Sequence, residues 1–233
     1  MLAQKELYRI RNEGLCAARV FEWEEILSRL KKPIVLNSPL SLHLIRHGES
    51  QGNASKLITG AKDVPLTALG EAQAACLSEK LDTHYDLAIT SKLQRAKKTL
   101  EIATSNGNIQ TQRFITDERL NERCLGVLEG QEFRWIQEYS TGDLHYAPFH
   151  GETYLRVSQR IFSFLIDLTD EAMRSNLTKV LISSHMGPMR IMVGIAQQSK
   201  DSAHVLGLSF SNTEVVRLSL KSLEIPGFIT DYL

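Results

Sequence analysis

The chain has 233 residues, 42% of them hydrophobic and 23% charged, and its 27 basic and 27 acidic side chains cancel. That is enough chain for one substantial core. A neutral balance gives no overall attraction for nucleic acid or an anionic membrane, so any anion site has to be a local cluster. No apolar run approaches the roughly 18 residues of a membrane span. Residues 1–32 lack the apolar stretch of a signal peptide and are too acidic for a transit peptide. Cys16, Cys76 and Cys124 are odd in number and scattered, which argues against a disulfide framework or a zinc site. A reduced, cytoplasmic setting is the simpler expectation.

Residues 1–40 read as an N-terminal helical extension and residues 41–233 as the main domain. In the extension, Val20, Phe21, Trp23, Ile26, Leu27 and Leu30 include helical spacings, which predict an amphipathic helix over about residues 18–32. It would pack on the main body or on a partner. KKPIVLNSP then breaks the pattern. From Leu42 the chain alternates. LHLIR predicts a strand, LTALGEAQAACLSEKL a helix capped by Thr67, YDLAITS a strand, KLQRAKKTLEIA a helix and RFITD a strand. GQEFRWIQEYS follows as a short helical stretch and GETYLRVSQRIFSFLIDLTDEAM as a long helix. KVLISSH is an apolar strand, GPMRIMVGIA a helix and NTEVVRLSL a late, more polar strand. The alternation predicts an α/β fold, a three-layer α/β/α sandwich around a mostly parallel central sheet. Ligands of such sheets gather beyond the carboxyl ends of the strands. Arg46, His47, Ser91, Arg95, Glu122 and His185 all fall just past predicted strand ends or in loops that follow them.

Their chemical types point one way. Arginine presents a planar fork of donors suited to phosphate oxygens. A neutral histidine is a nitrogen nucleophile near neutral pH, and a protonated one is a further donor. A glutamate beside a bound anion has its pKa raised, which suits a general acid. Together these groups can clamp a phosphoryl group, attack it in line and protonate the leaving oxygen. Phosphoryl transfer is mostly positioning and charge stabilisation, so little else is required. No Asp/His cluster has metal spacing, so a route without metal or other cofactor is expected. Two positions stay open. DERLNER offers Glu118 as well as Glu122, and dense charge is usually a solvated face. His43 stands four residues before His47, the spacing of a metal pair on a helix. The segment reads as a strand, so His43 is expected to be buried or hydrogen-bonded.

RHGES with Asn53 downstream, SKLQRAKKT, LNER and SSHMGPMR occur in that order between about Leu42 and Leu220. Together they resemble the histidine phosphatase superfamily, the phosphoglycerate-mutase-like proteins. The resemblance implies that His47 is the nucleophile and forms a phosphohistidine. It implies that Arg46, Arg95 and His185 hold the phosphoryl oxygens with help from Asn53, and that Glu122 is the proton donor. LITGAKDVPLTALG is similar to the family's segment between nucleophile and first helix, which makes Thr59 and Gly60 substrate contacts. HGETY resembles the family's entry into its long helix. The family needs no metal for catalysis.

The family contains mutases, phosphatases and inactive or scaffolding members. Its cofactor-dependent mutases carry a longer basic and proline-rich insertion between proton donor and second histidine. Here that segment is compact, with nothing obvious to enclose a bisphosphate and exclude water. The expectation is therefore metal-independent hydrolysis of a small phosphorylated metabolite. Open beside it are a phosphoglycerate-type phosphomutase, and a protein phosphatase or non-enzymatic regulatory member that docks through the N-terminal helix. A homo-oligomer is compatible with the sequence.

Overall fold

A computed structural model describes residues 19–105, 108–111, 113–133 and 141–233. Helix α1 (Trp23–Arg29) precedes the long strand β1 (Ile34–Arg46), the one-turn helix α2 (Gln51–Ala54) and helix α3 (Ala68–Ala75). Then come β2 (His84–Tyr85), β3 (Leu87–Thr90), helix α4 (Gln94–Ser105), β4 (Gln110–Thr111) and β5 (Phe114–Thr116). The long helix α5 (Tyr154–Ser175), β6 (Lys179–Ser184), α6 (Met186–Ala196), α7 (Ser202–Gly207), β7 (Val215–Leu223) and α8 (Gly227–Thr230) complete it. The helical stretch expected at GQEFRWIQEYS lies mostly outside the described residues.

Five strands form the central sheet in the order β5-β3-β6-β1-β7, parallel except for β7, which runs antiparallel to β1. Period-two alternation sends successive side chains to opposite faces. Leu42 and Leu44 of β1, Leu87 and Ile89 of β3, and Val180 and Ile182 of β6 join one core with α5 and α6. Ile45, Ala88 and Leu181 join the other, with Leu100 and Ala103 of α4 and Leu77 after α3. Two buried faces explain the unbroken apolar run Val180–Ile182 in KVLISS, and the three-layer sandwich follows. Helix ends obey local chemistry. Thr67 Oγ1 accepts the Gly70 N–H and Thr153 Oγ1 the Arg156 N–H, while Asn176 closes α5 in the left-handed region at φ 51°.

The N-terminal segment corrects the boundary expected at residue 40. β1 starts at Ile34 and pairs with β7 from Ile34–Leu223 to Ile45–Val215, with a register shift between Val35 and Leu40. Pro39, which reads in sequence as a breaker, sits in that irregularity, where a missing N–H costs no ladder bond. Helix α1 is shorter than the expected 18–32, and Phe21, Ile26 and Leu30 are buried in the main core. Ser163 Oγ on α5 accepts the Phe21 N–H at 2.8 Å. The segment packs on the body of the molecule.

The strand order also sets up the site. β6 is inserted between β3 and β1. Whatever follows β6 therefore lies between whatever follows the other two, at one end of the sheet.

Candidate active site

His47 follows β1, Ser91 follows β3 and His185 follows β6. The His47 and His185 rings lie 5.0 Å apart between centroids, and His185 Nε2 meets Ser91 Oγ at 2.7 Å. Ser91 Oγ also accepts the Leu93 N–H, and its own proton can go to His185 Nε2. In that tautomer the proton of a neutral ring is on Nδ1. His185 Nδ1 is buried and has no partner. His47 has the complementary arrangement. Its Nδ1–H donates to the Gly48 carbonyl at 2.7 Å, which puts the lone pair on Nε2, 3.3 Å from Arg95 Nε. Burial first, then the charges of Arg95 and Arg46, hold the His47 pKa well below the ordinary histidine value. Burial and Arg95 do the same for His185. With both values lowered, neither ring carries a charge at pH 7 in the free site.

Arg95 is 1% exposed on the inward stripe of α4. Its Nη1 and Nη2 donate to the carbonyls of Lys62 and Gly60 at 2.7 and 2.8 Å. Gly60 takes φ 54° there. Arg46 Nη1 donates to the Phe210 carbonyl, and Arg46 Nε is buried without a partner. Among the described residues, three buried side-chain polar atoms lack a hydrogen bond, and two of them are Arg46 Nε and His185 Nδ1. Buried donors without acceptors are rare and costly, so a pair of them beside two guanidinium groups marks where an anion belongs.

Glu122 Oε1 accepts the Gly187 and Arg123 N–H groups at 2.9 and 3.0 Å. A Cβ at position 187 would lie 2.6 Å from that oxygen, which accounts for the glycine in SSHMGPMR. Glu118 is half exposed and paired with Lys92 at 2.8 Å, whereas Glu122 lines the cavity. Asn53 Oδ1 is occupied by the Ser50 N–H and by Asn212 Nδ2, which leaves its amide NH₂ for the cavity. His43 is buried, with Nδ1 2.8 Å from the Tyr85 hydroxyl, as a strand position predicts. Four strand residues put it about 13 Å along the chain from His47. Gly48 owes its place to a close backbone contact. A Cβ there would meet the Gly70 carbonyl at 2.5 Å, so it is the close approach of α3 that excludes a side chain.

Arg46, His47, Asn53, Thr59, Gly60, Arg95 and Glu122 line one cavity of about 320 Å³, and His185 lies buried beneath it. The sequence reading missed Arg123, Tyr154, Arg190 and Asn212 as neighbours of the site. The first three sit inside quoted blocks, LNER, HGETY and SSHMGPMR, but nothing in those blocks says which side chains turn inward.

The sequence pattern of the histidine phosphatase superfamily (branch 1) matches residues 42–224. The chain belongs to the histidine phosphatase superfamily. It is 30% identical to fructose-2,6-bisphosphatase TIGAR B of Danio rerio over 78% of this chain and 74% of that protein. It is 29% identical to a 2,3-bisphosphoglycerate-dependent phosphoglycerate mutase of Mesorhizobium japonicum over 72% and 86%. Among solved structures, Bacillus stearothermophilus YhfR superposes with a TM-score of 0.65 at 27% identity, covering 76% of this chain and 90% of that one. This histidine phosphatase is thus an enzyme of small phosphorylated metabolites with the family's α/β fold. Among its described residues no helix is long and apolar enough to cross a membrane.

Proposed function

We propose that the protein is a metal-independent phosphomonoesterase working through a phosphohistidine on His47. The observation that carries this is the His47 tautomer, with Nδ1–H tied to the Gly48 carbonyl and Nε2 left unprotonated beside Arg95. In this reading, Arg46, Arg95, His185 Nδ1–H and the Asn53 amide bind the phosphoryl oxygens. His47 Nε2 attacks phosphorus as the ester P–O bond breaks, and Glu122 protonates the departing oxygen. Glu122 Oε1 already accepts two N–H groups, so Oε2 carries the proton. Glu122, now a carboxylate, takes a proton from water, and the resulting hydroxide attacks phosphorus. The P–N bond breaks, inorganic phosphate leaves and His47 returns to neutral. Charge stabilisation by pre-aimed donors does most of the work.

His47→Ala should abolish turnover and the acid-labile phosphoenzyme trapped by rapid acid quench. Full activity in that variant would refute the assignment. Hydrolysis is preferred over mutase chemistry because the segment between Glu122 and His185 carries no long basic insertion. Phosphate release should therefore exceed exchange between 2- and 3-phosphoglycerate.

A further inference from the structure

The unpartnered buried polar atoms of the site gather at its phosphoryl end. The orphan donors are Arg46 Nε and His185 Nδ1, both at the floor. The remaining wall is built mostly from Leu57, Ile58, Leu125, Phe133, Met186 and Leu206, with Thr59 and Ser209 as its two small hydroxyl residues. Two further arginines line it, and both are engaged by the protein. Arg123 Nε and Nη2 donate to the carbonyls of Glu152 and Tyr146 at 2.6 and 3.0 Å, and its guanidinium lies 4.4 Å from the Tyr154 ring centre. Arg190 Nε donates to the Leu208 carbonyl at 2.7 Å and Nη1 to the Tyr154 hydroxyl at 2.9 Å. Arg123 and Arg190 are 1% and 7% exposed. They brace the wall around Tyr154, and a second anion would have to compete with those bonds. Phe133, by contrast, is 66% exposed where it borders the cavity. Its ring extends the apolar lining to the mouth of the cavity, within reach of a bound organic group.

We infer that the substrate is a phosphomonoester of a small apolar or aromatic alcohol, with a single phosphate and no second anionic group. This rests on the phosphomonoesterase reading and narrows its substrate class. At about 320 Å³ the cavity is at the low end for ligand sites, which fits a phosphoryl group and an organic group on the order of one ring. Apolar walls reward each buried methylene by about fourfold in kcat/KM, whereas a polyol would leave its hydroxyls unpaired against them.

The test is a homologous series of n-alkyl phosphates, in which leaving-group chemistry is nearly constant, run beside fructose 2,6-bisphosphate and 3-phosphoglycerate. From propyl to pentyl phosphate kcat/KM should rise about fifteenfold, and both polyanionic compounds should fall below pentyl phosphate. Phe133→Ser should flatten the chain-length dependence. Phe149→Ser, an exposed aromatic outside the cavity lining, should leave the slope unchanged. A flat alkyl series, or a higher kcat/KM for either polyanion, would overturn the inference while leaving the phosphatase chemistry standing. Absence of phosphate release from every ester, with no phosphoenzyme, would instead remove the phosphomonoesterase reading and this inference with it.

Discussion

The floor of the cavity and its wall are built by different rules. The floor hangs on strand ends and, at Arg95, on the first turn of α4. His47, Arg95 and His185 are each less than 5% exposed, and each is fixed by a hydrogen bond to backbone or to another floor residue. The wall comes from loops and helix starts, with Thr59 and Gly60 after α2, Phe133 after the 3₁₀ turn Gly126–Leu128, and Leu206 at the end of α7. Transferring a phosphoryl group needs donors held in place before the substrate arrives, and rigid strands supply that. Choosing the alcohol needs only a surface of the right shape and polarity, which loops can vary without disturbing the chemistry.

Arg95 is where the two regions meet, and its replacement should have the largest effect. Its Nε faces the nucleophile while Nη1 and Nη2 hold the loop carbonyls of Lys62 and Gly60. Arg95→Lys keeps a charge but loses the fork. We expect kcat to fall by roughly a hundredfold or more and KM to rise as well, because the Thr59–Gly60 segment loses its anchor. A loss in kcat alone, with KM unchanged across the alkyl series, would show that floor and wall are independent.

A smaller effect is expected one shell away. The loop bearing Glu122 is clipped from both sides by Glu152, whose N–H donates to the Cys124 carbonyl at 2.8 Å and whose Oε2 faces the Cys124 N–H at 3.4 Å. Arg160 completes the clip, pairing with Glu152 at 2.9 Å and donating to the Arg119 carbonyl. Glu152→Gln should therefore act as a positioning change. Turnover of alkyl phosphates should fall about tenfold through displacement of the proton donor, while aryl phosphates, whose leaving groups need no proton, should be nearly unaffected. Equal losses on both would mean a general loosening of the fold.

The same division decides what could be read from the sequence. The floor was legible because each of its residues sits in a short block next to a strand end. RHGES, SKLQRAKKT, LNER and SSHMGPMR each contribute one or two groups at fixed local spacing. The layers were legible because period-two strands and helical stripes are local patterns. Pairing across distant segments was not. β1 was entered eight residues late because Pro39 looks like an end until β7 is seen to tolerate it with a register shift. Likewise Gly48 needs the Gly70 backbone beside it before its purpose is visible. That contact is a test of stability more than of chemistry. Gly48→Ala should lower the unfolding free energy by about 1–3 kcal/mol, measured by denaturant titration, because both partners in the clash are backbone. An unchanged midpoint would mean α3 shifts freely.

The least dramatic consequence separates floor from wall by pH. His47 and His185 have depressed pKa values, chiefly through burial, and so does His43. In the unfolded chain each titrates near 6.5. Below that pH the unfolded state takes up protons that the native state refuses, so stability falls as pH drops from about 6.5, and above it these groups have no effect. Each contributes at most about 1.4 kcal/mol per pH unit. The effect should be read between pH 6.5 and 5, before Asp82, Asp86 and Glu171, whose pKa values are also lowered, lose their native interactions by protonation. Over that interval His43→Gln should remove up to one proton's share of the slope, and Phe133→Ser none, because the wall residue carries no titrating group. The floor predicts a kinetic counterpart. A His47 held neutral by Arg95 and burial keeps its nucleophile available, so kcat/KM should stay level through pH 6.5 and turn down only at lower pH, after correction for substrate ionisation. A downturn centred on 6.5 would mean that the His47 pKa is not depressed in the free enzyme.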